Sequence, residues 1–310
     1  MMERAPKLMA AVSLLLVIII TLWVGPATIF HQLSLIGAGT LTQVFVLSIF
    51  IILLNALAVW CLLKIFGPTP FLKYLQYYFA SWSLGSLFPA RIGDFSLAMF
   101  HRQLGTTHKK IILAVFADKL ITLILVLVLV GVGLQELLVI TPGLTSILWV
   151  STGITIGIIV FLVALFLSPH IQDIVKKFLP ERFAHALGEL GENSVQLARN
   201  SEMLLANLII ALARLLLQGL IVWLLLAAQG VSISLLITTM LIAFASLSVF
   251  VPFTLGGVGV RESFIIVLFG LIGVSASTIA VSAFVQLIFH YLLVVILGVF
   301  FGKQFIKKNS

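Results

Sequence analysis

Seven ionisable side chains lie within or beside long apolar stretches of this 310-residue sequence. They are Arg91, Asp94, Asp118, Lys119, Arg214, Arg261 and Glu262. An ionisable side chain in hydrocarbon costs at least about 2.5 kcal/mol unless it is paired or hydrated. Guanidinium groups bind phosphate through paired N–H donors, and carboxylates orient arginines or accept amines. The set therefore indicates a site for a charged head group, with all seven residues as candidates for binding it.

Proline and glycine mark two breaks in the apolar stretches. The first break is SLFPARIGD at 86–94, and the second is VPFTLGGVGVRE at 251–262. Proline removes a backbone donor, and glycine permits turns that strain other residues. The residues expected at the two tips are Pro89, Gly93, Pro252, Gly256, Gly257 and Gly259. A helix that starts after each break would direct its N-terminus toward an anion such as phosphate.

A structural role is the alternative for several of these charges. Asp94 and Glu262 would complement a helix dipole from its first turn, or pair with the neighbouring arginine. Lys119 would extend to the membrane surface, and Arg214 would pair with an acid that the sequence does not identify. For the arginines at the two breaks, anion binding is the preferred interpretation, because an arginine near a helix start opposes the dipole.

The composition predicts that these residues lie in a membrane. Hydrophobic residues make up 62% of the sequence and charged residues 9%, whereas soluble domains carry about 25% charged residues. The single cysteine, Cys61, excludes an internal disulfide and a cysteine-rich metal site. The basic residues that give the net charge of +8 lie beside apolar runs. We therefore interpret them as a topology signal and expect no nucleic acid partner. Zinc-protease, nucleophile-elbow and phosphate-loop motifs do not occur, so we expect no catalysis, cofactor or metal.

Six apolar segments are long enough, or nearly so, to cross about 30 Å of hydrocarbon. They are Leu8–Val24, Val44–Leu63, Ile111–Val132, Ile147–Leu167, Met203–Ala228 and Thr278–Phe301. Lysine and arginine occur in the alternate connections and ends, at 64–73, 102–110, 176–199 and 303–308. They do not occur at 25–42, 133–146, 229–234 and 273–277. The positive-inside rule then predicts a multi-pass cell-membrane protein with both termini in the cytoplasm.

Two further apolar stretches, 74–100 and 235–272, each begin and end on the same side of the membrane. Each is therefore predicted to be a re-entrant helical hairpin. The arm 74–88 gives about 22 Å of helix, which is too short to span the membrane. The arm 235–253 is longer and nearly long enough, so the second hairpin is less firmly indicated.

The two halves of the sequence predict an inverted repeat. Placing residue n on residue n+168 aligns the breaks, with Asp94 on Glu262 and the span 111–132 on 279–300. Each half then contains two spans, a hairpin and a span, and the halves start on opposite sides. We predict an all-α polytopic membrane protein that forms one domain over residues 1–310. Its parts are a first half at 1–168, an amphipathic cytoplasmic linker at 169–200 and a second half at 201–310.

The sequences of the two breaks also carry a family likeness. FPARIGDFSLAMFHRQLG, followed by VFADKL, and later LGGVGVRESFIIVLFGLIGV resemble segments of the lysylphosphatidylglycerol synthase transmembrane family. The resemblance covers roughly residues 40–300 and implies a flippase-like fold with re-entrant helices. The motif positions are Gly93, Asp94, Gly257, Gly259, Arg261 and Glu262. Bifunctional members carry a soluble aminoacyl-transferase domain after the membrane domain. Here the sequence stops at Ser310, so we expect a stand-alone form without lysyl transfer.

The charges and the resemblance together favour a flippase-like carrier. Such a protein would move a phosphate-bearing lipid, or its head group, between leaflets without chemistry. The lipid would carry an anionic or zwitterionic head group, or be a polyprenyl phosphate. The alternative is a non-catalytic membrane subunit that presents a lipid-linked substrate to a partner glycosyltransferase or lipid synthase. A third class, an intramembrane enzyme, lacks a recognisable nucleophile or metal set.

Overall fold

The computed structural model describes residues 4–86, 92–140, 199–247, 254 and 257–302, together with positions 153, 156, 157, 160, 196 and 197. Every regular element in these ranges is helical. The elements are α1 (Arg4–Val24), α2 (Pro26–Ser34), α3 (Ala38–Lys64), α4 (Phe71–Gly85), a 3₁₀ segment (Ile92–Phe100), α5 (His108–Ile140), α6 (Ser201–Ala228), α7 (Leu235–Ser246), α8 (Val260–Gly270) and α9 (Ala276–Phe301). Helices pair all their interior backbone groups within one segment, which is what a lipid environment requires.

Long apolar helices confirm the prediction of a multi-pass membrane protein. Four of them are long and apolar enough to cross a membrane, namely Ala38–Lys64, His108–Val132, Ser201–Ala228 and Ala276–Phe301. A fifth crossing is possible where Ala11–Val24 and Pro26–Ser34 meet at an 82° bend. The predicted span Ile147–Leu167 lies outside the described residues, apart from four helical positions within it. The predicted linker also lies largely outside them.

Helices α3 and α6 form an antiparallel pair in the centre of the described structure. The Asn207 amide, early in α6, donates to the Ala58 carbonyl, late in α3, over 2.9 Å. At the opposite end of the pair, Val44 of α3 packs with Ile221 and Leu225 of α6. Both helices are mostly apolar around their circumference, so one face can contact protein while another contacts lipid. The α3–α6 pair is the frame on which the other spanning helices pack.

The connections gather at two ends of the bundle, and one of these ends is basic. At this end, the Lys110 ammonium lies 5.6 Å from the centre of the Phe66 ring. Phe79 of α4 also packs against Phe301 of α9 there, with ring centres 5.4 Å apart. The basic residues of the described connections and helix ends here are Lys64, Lys73, Arg102, Lys109, Lys110 and Arg199. This end matches the loops that the sequence assigns to the cytoplasm.

The opposite end carries no lysine or arginine in its described connections. There the α6–α7 connection at 231–234 and the α8–α9 connection at 272–275 line one open cleft of about 470 Å³. Ile36, just after α2, packs with Val281 near the start of α9. The charge asymmetry between the two ends is the physical basis of the positive-inside signal.

Two helices that precede the sequence breaks are too short to span a membrane. Helix α4 has 15 residues and α7 has 12, which correspond to about 22 Å and about 18 Å of helix. The sequence predicted an arm over 235–253 in the second case; α7 forms its first part, Leu235–Ser246, and 248–253 lie outside the described residues. After the breaks, the chain forms the 3₁₀ segment in the first half and the 11-residue α8 in the second. The connecting tips include Pro89, Arg91, Pro252 and Gly256, which lie outside the described residues.

Replacing Gly219 by alanine is expected to destabilise the contact between α6 and α7. A methyl group at Gly219 would lie 2.6 Å from the Thr239 Cα, a backbone atom that cannot rotate away. Overpacking of this kind costs about 1–3 kcal/mol of stability. A methyl group added at Gly131 of α5 would have nothing within 4 Å. Gly131→Ala is therefore the matched control and should not lower stability. Thermal unfolding in detergent measures both, and an equal effect of the two changes would contradict this packing.

Candidate functional site

A cluster of buried polar side chains joins α3, α5 and α6 within the apolar parts of these helices. Arg214 of α6 donates from Nη1 to the Asn55 Oδ1 over 2.6 Å. Its Nη2 donates to the Thr122 hydroxyl and lies 3.6 Å from the Asp118 Oδ1. The Asn207 Nδ2 donates to the same Asp118 oxygen over 3.2 Å. We call these five residues the midplane cluster.

The midplane cluster identifies the acid that faces Arg214. The sequence left that partner open, and the structure shows that it is Asp118. Arg214 is 4% exposed and Asp118 is 1% exposed, so both charges lie inside the protein rather than in lipid. A buried pair of this kind is costly to desolvate, and its hydrogen bonds to neutral side chains offset part of that cost. Two of the predicted site residues therefore lie together inside the helix bundle.

The midplane cluster is not fully hydrogen-bonded. Asp118 Oδ2 and Asn207 Oδ1 are buried and have no hydrogen-bond partner among the described residues. Both atoms are acceptors, since an ionised carboxylate and an amide oxygen cannot donate. The Asn207 Nδ2, by contrast, reaches both Asp118 and the Ala58 carbonyl.

The start of α8 forms a second group of polar contacts. The Glu262 Oε2 accepts a hydrogen bond from the Gly259 N–H over 2.6 Å, and Glu262 is 1% exposed. This carboxylate caps its own helix, which is the structural alternative that the sequence allowed. Gly257 and Gly259 both have a φ of 85°, a conformation that favours glycine. The Gly259 N–H is therefore occupied by Glu262 rather than open to an anion.

Arg261 points from the start of α8 toward α9. Its Nη2 donates to the Gln286 Oε1 over 3.1 Å, and the side chain is half-buried. Gln286 lies ten residues into α9, about 15 Å along the helix axis from its start. The contact therefore holds Arg261 at the depth of the middle of a spanning helix. Gln286 is neutral, so this hydrogen bond orients the guanidinium and adds no charge of its own.

Lys119 lies away from Arg214, toward α4. It is half-buried and lines a cavity of about 10 Å³ with Val59, Tyr78, Ser81, Trp82 and Val115. A cavity of that size holds about one water molecule. The structure thus places Lys119 beside a small internal cavity.

The remaining predicted residues are only partly described. Gly93 and Asp94 lie at the start of the 3₁₀ segment, in the chain position that α8 occupies in the second half. Arg91 falls outside the described residues, as do Pro89, Pro252 and Gly256. The described residues thus form two groups, one around Arg214 and one around Arg261. Among them, no group of three or more His, Cys, Asp or Glu side chains could hold a metal ion.

Sequence reasoning missed the neutral members of the midplane cluster. Asn55, Thr122 and Asn207 carry no charge, so a search for ionisable residues passes over them. The two asparagines did give a signal, because a side-chain amide inside a span is usually hydrogen-bonded to another helix. The predicted repeat carried another signal, since an offset of 168 places Asp118 on Gln286. Both of these residues contact an arginine in the structure.

Comparison with known proteins identifies a family that covers most of the chain. The model of the family described as the lysylphosphatidylglycerol synthase TM region matches residues 10–298. A search of curated proteins finds no match to the chain.

Proposed function

Because the chain belongs to the lysylphosphatidylglycerol synthase TM-region family, we propose that it is a flippase-like carrier. It would move a phosphate-bearing lipid, or its head group, between leaflets without chemistry. The family and the apolar helices support a lipid-related function in a membrane. The specific role as a carrier is our proposal.

The observation that carries this proposal is the position of Arg261. A cation at mid-depth is costly in hydrocarbon, and residues of this kind usually mark a substrate or ion pathway. Arg261 is half-buried, so it is not sealed inside the core as Arg214 is. A guanidinium offers several N–H donors in a planar fork that matches a phosphate. A lipid phosphate crossing the bilayer would meet this donor set halfway.

An inverted repeat with two re-entrant hairpins is the architecture that we propose for this carrier. Helices α5 and α9 start at His108 and Ala276, which the offset of 168 relates to each other. The same offset relates α3 to α6, and these helices pack antiparallel. The offset also relates α4 to α7 and α5 to α9. The packing of α4 against α9 therefore corresponds to the packing of α7 against α5, and the structure contains both contacts. In such folds, broken helices meet at a binding site near the midplane.

In this arrangement the two hairpin tips would present their arginines to the phosphate. Arg91 would act for the first tip and Arg261 for the second. Asp94 and Glu262 would orient the tips, and Glu262 already caps α8. Asp118, Lys119 and Arg214 would contact the head group only when the helices separate during transport, because Asp118 and Arg214 are buried in this structure.

Reconstitution in liposomes tests this proposal against its alternative. Purified protein is expected to accelerate the inter-leaflet exchange of a labelled phospholipid or polyprenyl phosphate above the rate in empty vesicles. If no head-group class exchanges and a glycosyltransferase or lipid synthase co-purifies, the protein instead presents a lipid-linked substrate to that partner. Mass spectrometry of lipids that co-purify with the protein would identify the bound head group.

The proposed topology places the basic end of the bundle and both termini in the cytoplasm of a cell-membrane protein. Cysteine at His31, near the end of α2, should therefore react with an impermeant reagent in intact cells. Cysteine at Thr106, just before α5, should react only after permeabilisation. The native Cys61 is buried, which keeps the background low. Labelling of Thr106→Cys in intact cells would contradict this orientation and the inverted repeat with it.

A further inference from the structure

The two unpartnered oxygen atoms of the midplane cluster belong to neighbouring side chains. Asp118 is 1% exposed and Asn207 is 0% exposed, and neither Asp118 Oδ2 nor Asn207 Oδ1 has a hydrogen-bond partner among the described residues. A buried acceptor without a donor is destabilising. A donor placed between these two oxygen atoms would therefore stabilise the cluster.

A single proton supplies that donor. The Asn207 Nδ2 already donates to Asp118 Oδ1 over 3.2 Å, which is one half of the pair that an amide forms with a carboxylic acid. In the other half, a protonated carboxyl oxygen donates to the amide oxygen. Those two oxygens are the unpartnered ones. An ionised carboxylate only accepts, so it cannot make this second bond.

Arg214 is arranged so that Asp118 can lose its charge without leaving the guanidinium isolated. The guanidinium donates to Asn55 over 2.6 Å and to the Thr122 hydroxyl, whereas its distance to Asp118 is 3.6 Å. Two neutral acceptors thus keep it in place when the carboxylate is neutral. The carboxylate then has two alternative partners, the guanidinium and a proton.

We propose that Asp118 is a proton-binding site and that its protonation drives the movement of the lipid. An O–H bond forms at Asp118 Oδ2 with a proton from water on one side of the membrane. That bond breaks when the proton leaves to the other side, and the ion pair with Arg214 forms again. No other bond changes. The coupling to lipid movement rests on the proposed carrier function, whereas the protonation itself does not.

Within the part of the chain that the structure describes, few other titratable groups lie near this carboxylate. Helix α6 presents Arg214, and Lys119 follows the carboxylate directly on α5. Tyr74 of α4 lies close enough to interact with it electrostatically, and Cys61 of α3 interacts with Tyr74. Helix α7 contains no titratable residue, and the 3₁₀ segment contains only Asp94. A protonation signal can therefore be assigned by substituting the carboxylate alone.

Infrared difference spectra of the purified protein at acidic and alkaline pH test the protonation directly. The wild type is expected to show a protonated carboxyl band that Asp118→Asn removes and that Asn207→Leu shifts, because the hydrogen bond to the amide is lost. Glu202→Gln removes an exposed carboxyl on α6 and should leave the band unchanged. Identical pH-dependent spectra for the wild type and Asp118→Asn would overturn the proposal.

A pH gradient across proteoliposomes tests the coupling. In the wild type, the gradient should drive net transfer of labelled phospholipid in one direction, and reversing the gradient should reverse that direction. In Asp118→Asn, the ratio of lipid transfer with a gradient to transfer without one should be one, whatever the absolute rate of transfer. Wild-type exchange that ignores the gradient would overturn the coupling and leave the carrier function standing. If the wild type exchanges no lipid at any pH, the carrier function itself fails, and the infrared band alone decides the protonation.

Discussion

Arg261→Ala is expected to lower binding of phosphate-bearing lipids by about tenfold or more while the protein remains folded. The change removes the cation that Gln286 holds at mid-depth, and a hydrogen bond to a charged group contributes about 1.5–3 kcal/mol. The fold should survive because the hydrogen bond from the Gly259 N–H to the Glu262 Oε2, which caps α8, does not involve the Arg261 side chain. Lipid binding and thermal stability are measured on the same detergent-purified samples.

Two further variants separate a binding role from a structural one. Arg261→Lys should recover only part of the binding, since a point charge cannot reproduce paired guanidinium donors. Arg199→Ala removes an exposed cation from the basic end and should leave binding unchanged. If Arg261→Ala is unstable, and adding Glu262→Gln restores both stability and lipid exchange, then Arg261 is a structural residue rather than a binding group.

Arg214→Ala, unlike Arg261→Ala, is expected to cause a large loss of stability. The change leaves the buried carboxylate of Asp118 without the cation 3.6 Å away and leaves Asn55 without its donor. Breaking a buried ion pair on one side costs about 3–5 kcal/mol. Unfolding in a denaturing detergent titration measures this loss.

Neutralising the partner provides the control for this effect. Asp118→Asn keeps the shape of the side chain and removes its charge, so Arg214→Ala should cost less in that background. A double-mutant cycle measures the difference as an interaction energy. Equal costs of Arg214→Ala in the two backgrounds would show that the ion pair does not stabilise the fold.

The spanning helices could be predicted from the sequence because each is a long apolar run. The predicted span Met203–Ala228 agrees closely with α6, and Thr278–Phe301 agrees closely with α9. Hydrocarbon selects such runs without reference to the rest of the chain, so local composition is sufficient. The 82° bend between α1 and α2 was not predicted, although Gly25 with a φ of 91° and the following Pro26 cause it.

The charged residues of the candidate site could be predicted from the sequence, whereas the partners that they contact could not. The cost of a charge in hydrocarbon marks Asp118 and Arg214 in the sequence. They are far apart along the chain, so only the packing of α5 on α6 shows that they meet. The contact of Arg261 with Gln286 became evident only from the position of α8 beside α9.

Inter-leaflet exchange in vesicles that contain only this protein tests the central claim most directly. Two labelled lipids would be compared, a phospholipid and a phosphate-free glycosyl diacylglycerol with the same acyl chains. An impermeant quencher outside the vesicles reports how much of each label reaches the outer leaflet. We predict rapid exchange of the phospholipid, slower exchange of the phosphate-free lipid, and phospholipid exchange near the empty-vesicle rate for Arg261→Ala. Phospholipid exchange by the wild type at the rate of empty vesicles would contradict the claim that this protein carries a phosphate-bearing lipid.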